Sequence, residues 1–354
     1  MPRVIWDEEK QGDWWWMGDT RLTSASKFAM AGWHEYPPDF PRHWADVNVN
    51  TWDADKRLAM MDGYGIFAQI LYPNVAVFGG RDLMKTDPAV RLAAVQIYND
   101  WLTEWSSAAP DRLLPVTSLP LWDRDACVAE IERCAEKGHR GVIFSQEPKF
   151  MGLPSLDDHH WNPVWSAAQA ANMPINFHIA TGDTGLGTSN MSAHNGVRPN
   201  YVAGGLAYFM ENARTIAKLI TSGICHRYPN LDFVSVESGI GWIPFALAAL
   251  DWQWKNHNVV GDHPEYDLLP TEYFKRQIYG MFWFETDCAL STIETLGPDN
   301  FMYETDFPHA TSMSPGPASS AIRPDDFIRE VIGKLTPDVQ NKILHDNAAR
   351  VYHL

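Results

Sequence analysis

Asn300-Phe-Met-Tyr-Glu-Thr-Asp-Phe-Pro-His309 is an apolar, strand-like run that delivers one acid, Asp306, before a proline stops the strand and a histidine follows at once. Two upstream stretches repeat the device. Pro174-Ile-Asn-Phe-His178 ends on an imidazole, and Leu231-Asp-Phe-Val-Ser-Val-Glu237 ends on a carboxylate. A carboxylate at the carboxyl end of a late strand is where a (β/α)8 barrel keeps a metal ligand or a general base. Core packing gives no reason for one polar, metal-competent residue at the end of three separate apolar strands. The pattern predicts a metal-dependent active site.

Outward from these stretches the chain alternates. Strands are expected near residues 67, 113, 141, 174, 231, 278 and 301, with helices between them at 53–64, 88–109, 123–137, 161–172, 202–222, 240–257 and 289–296. Apolar residues at helical spacing, such as Leu58 and Met61, mark the buried faces. Parallel strands joined by helical crossovers imply a closed barrel or a doubly wound sheet. No Gly-x-Gly-x-x-Gly follows any of these strands, which disfavours a dinucleotide-binding sheet. The fold class expected is therefore α/β, a (β/α)8 TIM barrel spanning residues 53–354.

Residues 1–52 read differently. Val4-Ile5-Trp6 and Trp14-Trp15-Trp16-Met17 flank the turn Lys10-Gln11-Gly12-Asp13 as a hairpin, and residues 23–52 form an irregular cap too aromatic to be a solvated linker. The first barrel strand is thus missing or replaced, since eight are wanted and seven are found. The polar loop from Thr181 to Asn200 is a candidate substrate lid.

Composition excludes several classes. A net charge of −16 argues against nucleic acid and against docking on an anionic membrane. No run reaches the roughly 18 apolar residues of a membrane helix. The first ten residues lack the apolar core of a signal peptide, and the 4 cysteines form no C-x-x-C pair, so a cytoplasmic enzyme with free thiols is expected.

These residues resemble the amidohydrolase superfamily, in the branch of aminocarboxymuconate-semialdehyde decarboxylase and γ-resorcylate decarboxylase. The resemblance is carried by Tyr98-Asn-Asp-Trp-Leu, Leu114-Pro-Val-Thr-Ser-Leu-Pro-Leu-Trp-Asp123, Gly141-Val-Ile-Phe, Phe177-His178, Glu237-Ser-Gly-Ile-Gly-Trp-Ile-Pro244, Glu304-Thr-Asp-Phe-Pro-His309 and Asp346-Asn-Ala-Ala-Arg350. It implies one divalent metal at the strand ends, zinc foremost, with manganese or iron as alternatives. By the same resemblance His178 and Asp306 are metal ligands, Asp306 and Glu237 are catalytic, and His309 and Trp242 contact substrate. Glu237 stands where relatives keep a histidine. Relatives open on a strand carrying Asp-x-His or His-x-His; nothing similar precedes Asp53, and a natural start upstream of Met1 is the expectation. The family's habit of dimerising implies a homodimer.

Each candidate has a plainer reading. His178 could be a satisfied core histidine, Asp306 a turn cap, and Glu237 a cap for the amides of Ser238 to Gly241. His159-His160 reads as a helix start beside Asp157-Asp158, because adjacent side chains face different ways. His34 lies in the irregular cap, and Cys127 and Cys134 read as small core residues.

The expected function is metal-dependent hydrolysis or decarboxylation of a small organic carboxylate, ester or lactone, aromatic substrates included. The alternative is a metal-free barrel acting as a binding module, because two ligands alone rarely hold a divalent ion.

Overall fold

The tryptophan-rich start of the chain folds into an antiparallel sheet of three strands, β1 (Pro2–Asp7), β2 (Gly12–Met17) and β3 (Thr20–Ser24), in that order. The expected hairpin is there, with Val4 opposite Trp15. A third strand joins it across the tight turn at Gly18, whose φ of 57° suits glycine. The structure is a computed structural model and describes residues 2–186, 194 and 196–354.

Beyond residue 53 the elements run α1 (Ala54–Tyr64), β4 (Gln69–Leu71), α2 (Pro88–Ser106), β5 (Leu113–Pro115), α3 (Arg124–Glu136), β6 (Val142–Phe144), α4 (Asn162–Ala170), β7 (Ile175–His178), α5 (Val197–Thr221), α6 (Ile224–Arg227), β8 (Phe233–Val236), α7 (Ile243–Asn256), α8 (Val259–Asp262), α9 (Pro270–Gln277), β9 (Ile278–Phe282), α10 (Asp287–Leu296), β10 (Phe301–Tyr303) and α11 (Pro324–Glu330). Local chemistry sets the ends. Asp53 caps α1 by accepting the amide of Lys56, and Gly65 closes it at φ 70°. Asp87 and Pro88 start α2, and Asp123 caps α3.

The chain divides into two compact units, Met1–Ile143 with Thr305–Glu330 and Phe144–Glu304 with Val331–Leu354. In the first unit β4 and β5 pair in parallel, and Thr117 bridges Val142 in the same sense. Trp15, Tyr98 and Trp122 pack on Met17, Leu22, Leu83 and Val95, so the aromatic start of the chain joins the core through Trp15. Asn99, fully buried, donates to the carbonyl of Ser118 and accepts its amide, both at 3.0 Å. Two stretches singled out in the sequence, one around Asn99 and one around Ser118, are thereby stitched together.

In the second unit β7, β8, β9 and β10 lie side by side and parallel, with His178 paired to Val236 and Phe301 to Gly280. All residues of β7, β8 and β9 are buried, as strands covered on both faces require. Phe144, Trp161, Trp165, Phe177 and Phe233 stack into one aromatic core. Burying rings of that size is the largest single hydrophobic contribution this unit can draw on.

Each strand expected beyond residue 53 is present, but shorter. Phe67 is 69% exposed and stays outside β4. Helix α5 starts at Val197, five residues earlier than the sequence predicts. Much of the expected lid, residues 187–193 and 195, lies outside the described residues.

Candidate active site

Strand β7 ends on His178, and the chain then turns through Ile179 and Ala180, the latter at φ 61°. The ring Nδ1 of His178 lies 3.0 Å from the carbonyl of Ile179. A carbonyl only accepts, so Nδ1 carries a proton there and Nε2 is the ring nitrogen left to face the site. Glu237 follows β8 by one residue and presents Oε2 to that Nε2 at 2.9 Å. Both side chains are buried.

Glu237 takes φ 56°, a left-handed conformation that non-glycine residues seldom adopt. Such strain persists where the surroundings over-determine the backbone and clusters at functional sites. The surroundings here are well defined. Ser235 of β8 and Ser238 of the loop share a hydrogen bond of 2.7 Å between their hydroxyls. Asn212 of α5 donates to Ser235 Oγ at 2.9 Å and to the carbonyl of Phe177 at 3.1 Å, and accepts from Gln146 at 2.6 Å. One amide side chain thus ties β7 to β8 beneath the site. Trp242 turns back on its own loop, its indole N–H donating to the carbonyl of Ser238 at 3.0 Å.

In the first unit Asp306 stands three residues beyond β10 and also takes a left-handed φ, 55°. His309 Nδ1 donates to Asp306 Oδ1 at 2.6 Å. The carbonyl of Pro308 accepts the amides of Met30 and Ala31 at 2.9 and 3.0 Å. Phe28 meets the His309 ring edge-on, and the guanidinium of Arg57 lies 4.4 Å from the centre of the Phe307 ring. The aromatic cap therefore holds the turn that carries Asp306 and His309.

Of the sequence-predicted residues, His178, Glu237 and Trp242 stand at and just beyond the ends of β7 and β8, and Asp306 and His309 stand beyond β10. His159-His160 begins a helical turn capped by Asp158, as read from sequence. His34 is exposed against Trp33, while Cys127 and Cys134 are buried.

The donor set fits a divalent ion. A metal-ligating histidine characteristically donates its other ring N–H to a carbonyl or carboxylate, as His178 does to Ile179. Imidazole nitrogen with carboxylate oxygen suits zinc, manganese or iron.

Sequence reading missed two buried carboxylates. Glu285, three residues past β9, accepts the amides of Ile240 and Gly241 at 2.8 and 2.7 Å. Two of the amides considered for Glu237, those of Ile240 and Gly241, thus go to Glu285. Burial pushes the Glu285 pKa up, and the two amides act in the opposite direction. Glu211 of α5 accepts the amide of Asp183 at 2.7 Å, just past β7. The signal was present for Glu285: it ends the apolar run Ile278–Phe284 as Glu237 and Asp306 end theirs.

A sequence model of the amidohydrolase family matches residues 30–354. A γ-resorcylate decarboxylase from Polaromonas sp. is 26% identical over 77% of this chain and 82% of its own. Among solved structures, an amidohydrolase from Mycobacterium avium subsp. paratuberculosis has a TM-score of 0.74 at 20% identity, covering 99% of this chain and 91% of its own. A dihydroxybenzoic acid decarboxylase from Polaromonas sp., solved with manganese and the inhibitor 2-nitroresorcinol, has a TM-score of 0.64 at 22% identity, covering 85% and 86%. These structural likenesses carry the fold class, a TIM barrel, to which the α/β alternation conforms. Among the described residues no helix is long and apolar enough to cross a membrane.

Proposed function

The chain belongs to the amidohydrolase family, and from that premise we propose that this enzyme decarboxylates a small hydroxylated aromatic carboxylate with a divalent metal in its site. The observation that carries the proposal is the His178–Glu237 pair, an imidazole with its Nδ1 proton committed to a carbonyl and its Nε2 facing a buried carboxylate. The relatives named as γ-resorcylate decarboxylases support this over hydrolysis of an ester or lactone. The metal-free binding module finds no support in those matches.

His178 and Asp306 would hold the ion, with zinc, manganese or iron as candidates. When bound, it supplies Lewis acidity toward substrate oxygens. The chain's own residues do the rest. Loss of carbon dioxide leaves an electron pair on the ring carbon, and that carbon must take a proton. Glu237, buried and in contact with an imidazole, is the proton donor in this scheme: its protonated carboxyl gives its proton to the ring carbon and is left as the carboxylate. Asp306, held by His309, is the second acid–base group, and in a hydrolytic variant of the scheme it accepts a proton from water. His309 and the half-buried Trp242 are placed to meet the substrate's polar edge and aromatic face. A homodimer in the cytoplasm completes the proposal.

The test is a panel of 2-hydroxybenzoates and simple lactones with released carbon dioxide and released acid both monitored. Carbon dioxide from a hydroxybenzoate, abolished in Glu237→Gln and Asp306→Asn, is the expected result. Acid release from lactones without carbon dioxide from any benzoate would replace decarboxylation with hydrolysis.

A further inference from the structure

We infer that Glu285 is a positioning residue that holds Glu237 in its reacting orientation, an inference that rests on Glu237 being the proton donor.

The left-handed backbone at Glu237 needs something to hold it: Ser235 and Trp242 fix the following loop at Ser238, and its next two amides remain to be held. Ser238, Gly239, Ile240 and Gly241 form no regular element before α7 begins at Ile243. Glu285 reaches into that loop with both oxygens: Oε2 accepts from Ile240 N at 2.8 Å and Oε1 from Gly241 N at 2.7 Å. Two amides on one carboxylate fix the direction of the peptide planes as well as their place.

The glycines make this contact possible. A Cβ on Gly239 would stand 2.6 Å from Glu285 Oε2, and one on Gly241 would stand 2.9 Å from Oε1. Gly239 also takes φ 69°, which a side chain would resist. The carboxylate is only 7% exposed, so the cost of burying it is offset chiefly by those amides. Its place three residues past β9 lets one strand end govern the loop of its neighbour β8.

The experiment compares wild type with Glu285→Gln, and with Gly239→Ala as an independent way of disturbing the same contact. Amide hydrogen exchange of the peptide spanning 237–242 is followed beside kcat, KM and bound manganese. In Glu285→Gln that peptide should exchange about tenfold faster, because an amide replaces one of two acceptors. Peptides from β9 should keep their rates. With one proton donor misplaced, kcat should fall about a hundredfold, while KM and bound manganese change little. Gly239→Ala should reproduce the split. Unchanged exchange at 237–242, faster exchange across the whole chain, or kcat and KM shifting together would each overturn the inference. If wild type turns over no benzoate, the proposed function fails, while the exchange measurement still decides whether Glu285 holds the loop.

Discussion

His178 Nε2 lies 2.9 Å from Glu237 Oε2, across neighbouring parallel strands whose last residues are in register. The pairing of His178 with Val236 puts the imidazole one residue short of the carboxylate along the chain direction. The left-handed φ at Glu237 then swings its side chain back toward the ring. Strand register and one unusual backbone angle together create the contact.

That angle has a measurable cost. Glu237→Gly should be more stable than Glu237→Ala by about 1 kcal/mol, because alanine keeps the left-handed strain and glycine does not. Both should be inactive. Urea unfolding of the two variants at pH 7 checks this, and an alanine variant as stable as the glycine one would mean that the backbone relaxes there.

Asn99 should be costly to remove. Asn99→Ala removes both of its hydrogen bonds to the buried backbone of Ser118 and also strips Glu130 of a 2.7 Å hydrogen bond. A loss on the order of 3 kcal/mol is expected, read as a lower urea midpoint. A shift below about 0.5 kcal/mol, typical of surface changes, would contradict the geometry.

His139 gives the protein a pH dependence of known sign. Its ring sits between the hydroxyls of Thr117 and Thr103, at 2.9 and 3.0 Å, and burial lowers its pKa from 6.5 to about 4. Thr103 spends its own proton on the carbonyl of Asn99, so it accepts from Nε2–H. The folded pKa is depressed, so the unfolded chain takes the proton first as pH falls. The stability His139 contributes is present above pH 6.5 and lost toward pH 4, on the order of 3 kcal/mol. Burial raises Asp232 to about 6, which acts in the opposite direction, its contribution growing as pH falls below 6. Urea midpoints at pH 7.5 and 5 should fall less steeply in His139→Gln and more steeply in Asp232→Asn. Identical slopes in all three proteins would refute the assignment.

Much of this arrangement was legible in the sequence. Apolar runs ending in a single polar residue located β7, β8 and the segment after β10, because a buried strand must be apolar until it reaches the site. Asp53, Pro88 and Asp123 marked helix starts through capping chemistry that needs only neighbours in sequence. Glu285 and Glu211 escaped because their roles depend on amides 44 and 28 residues away. The third strand, Thr20–Ser24, escaped because its polar sequence pairs through the backbone and not through an apolar face.

His178 and Asp306 are the metal ligands proposed above. Metal content measured on wild type, His178→Ala and Asp306→Ala after loading with manganese and gel filtration tests that proposal most directly. About one ion per chain is expected in wild type and none in either variant, because a catalytic site that loses a protein ligand no longer has enough to hold the ion. Stoichiometric metal retained in both variants would contradict the proposal.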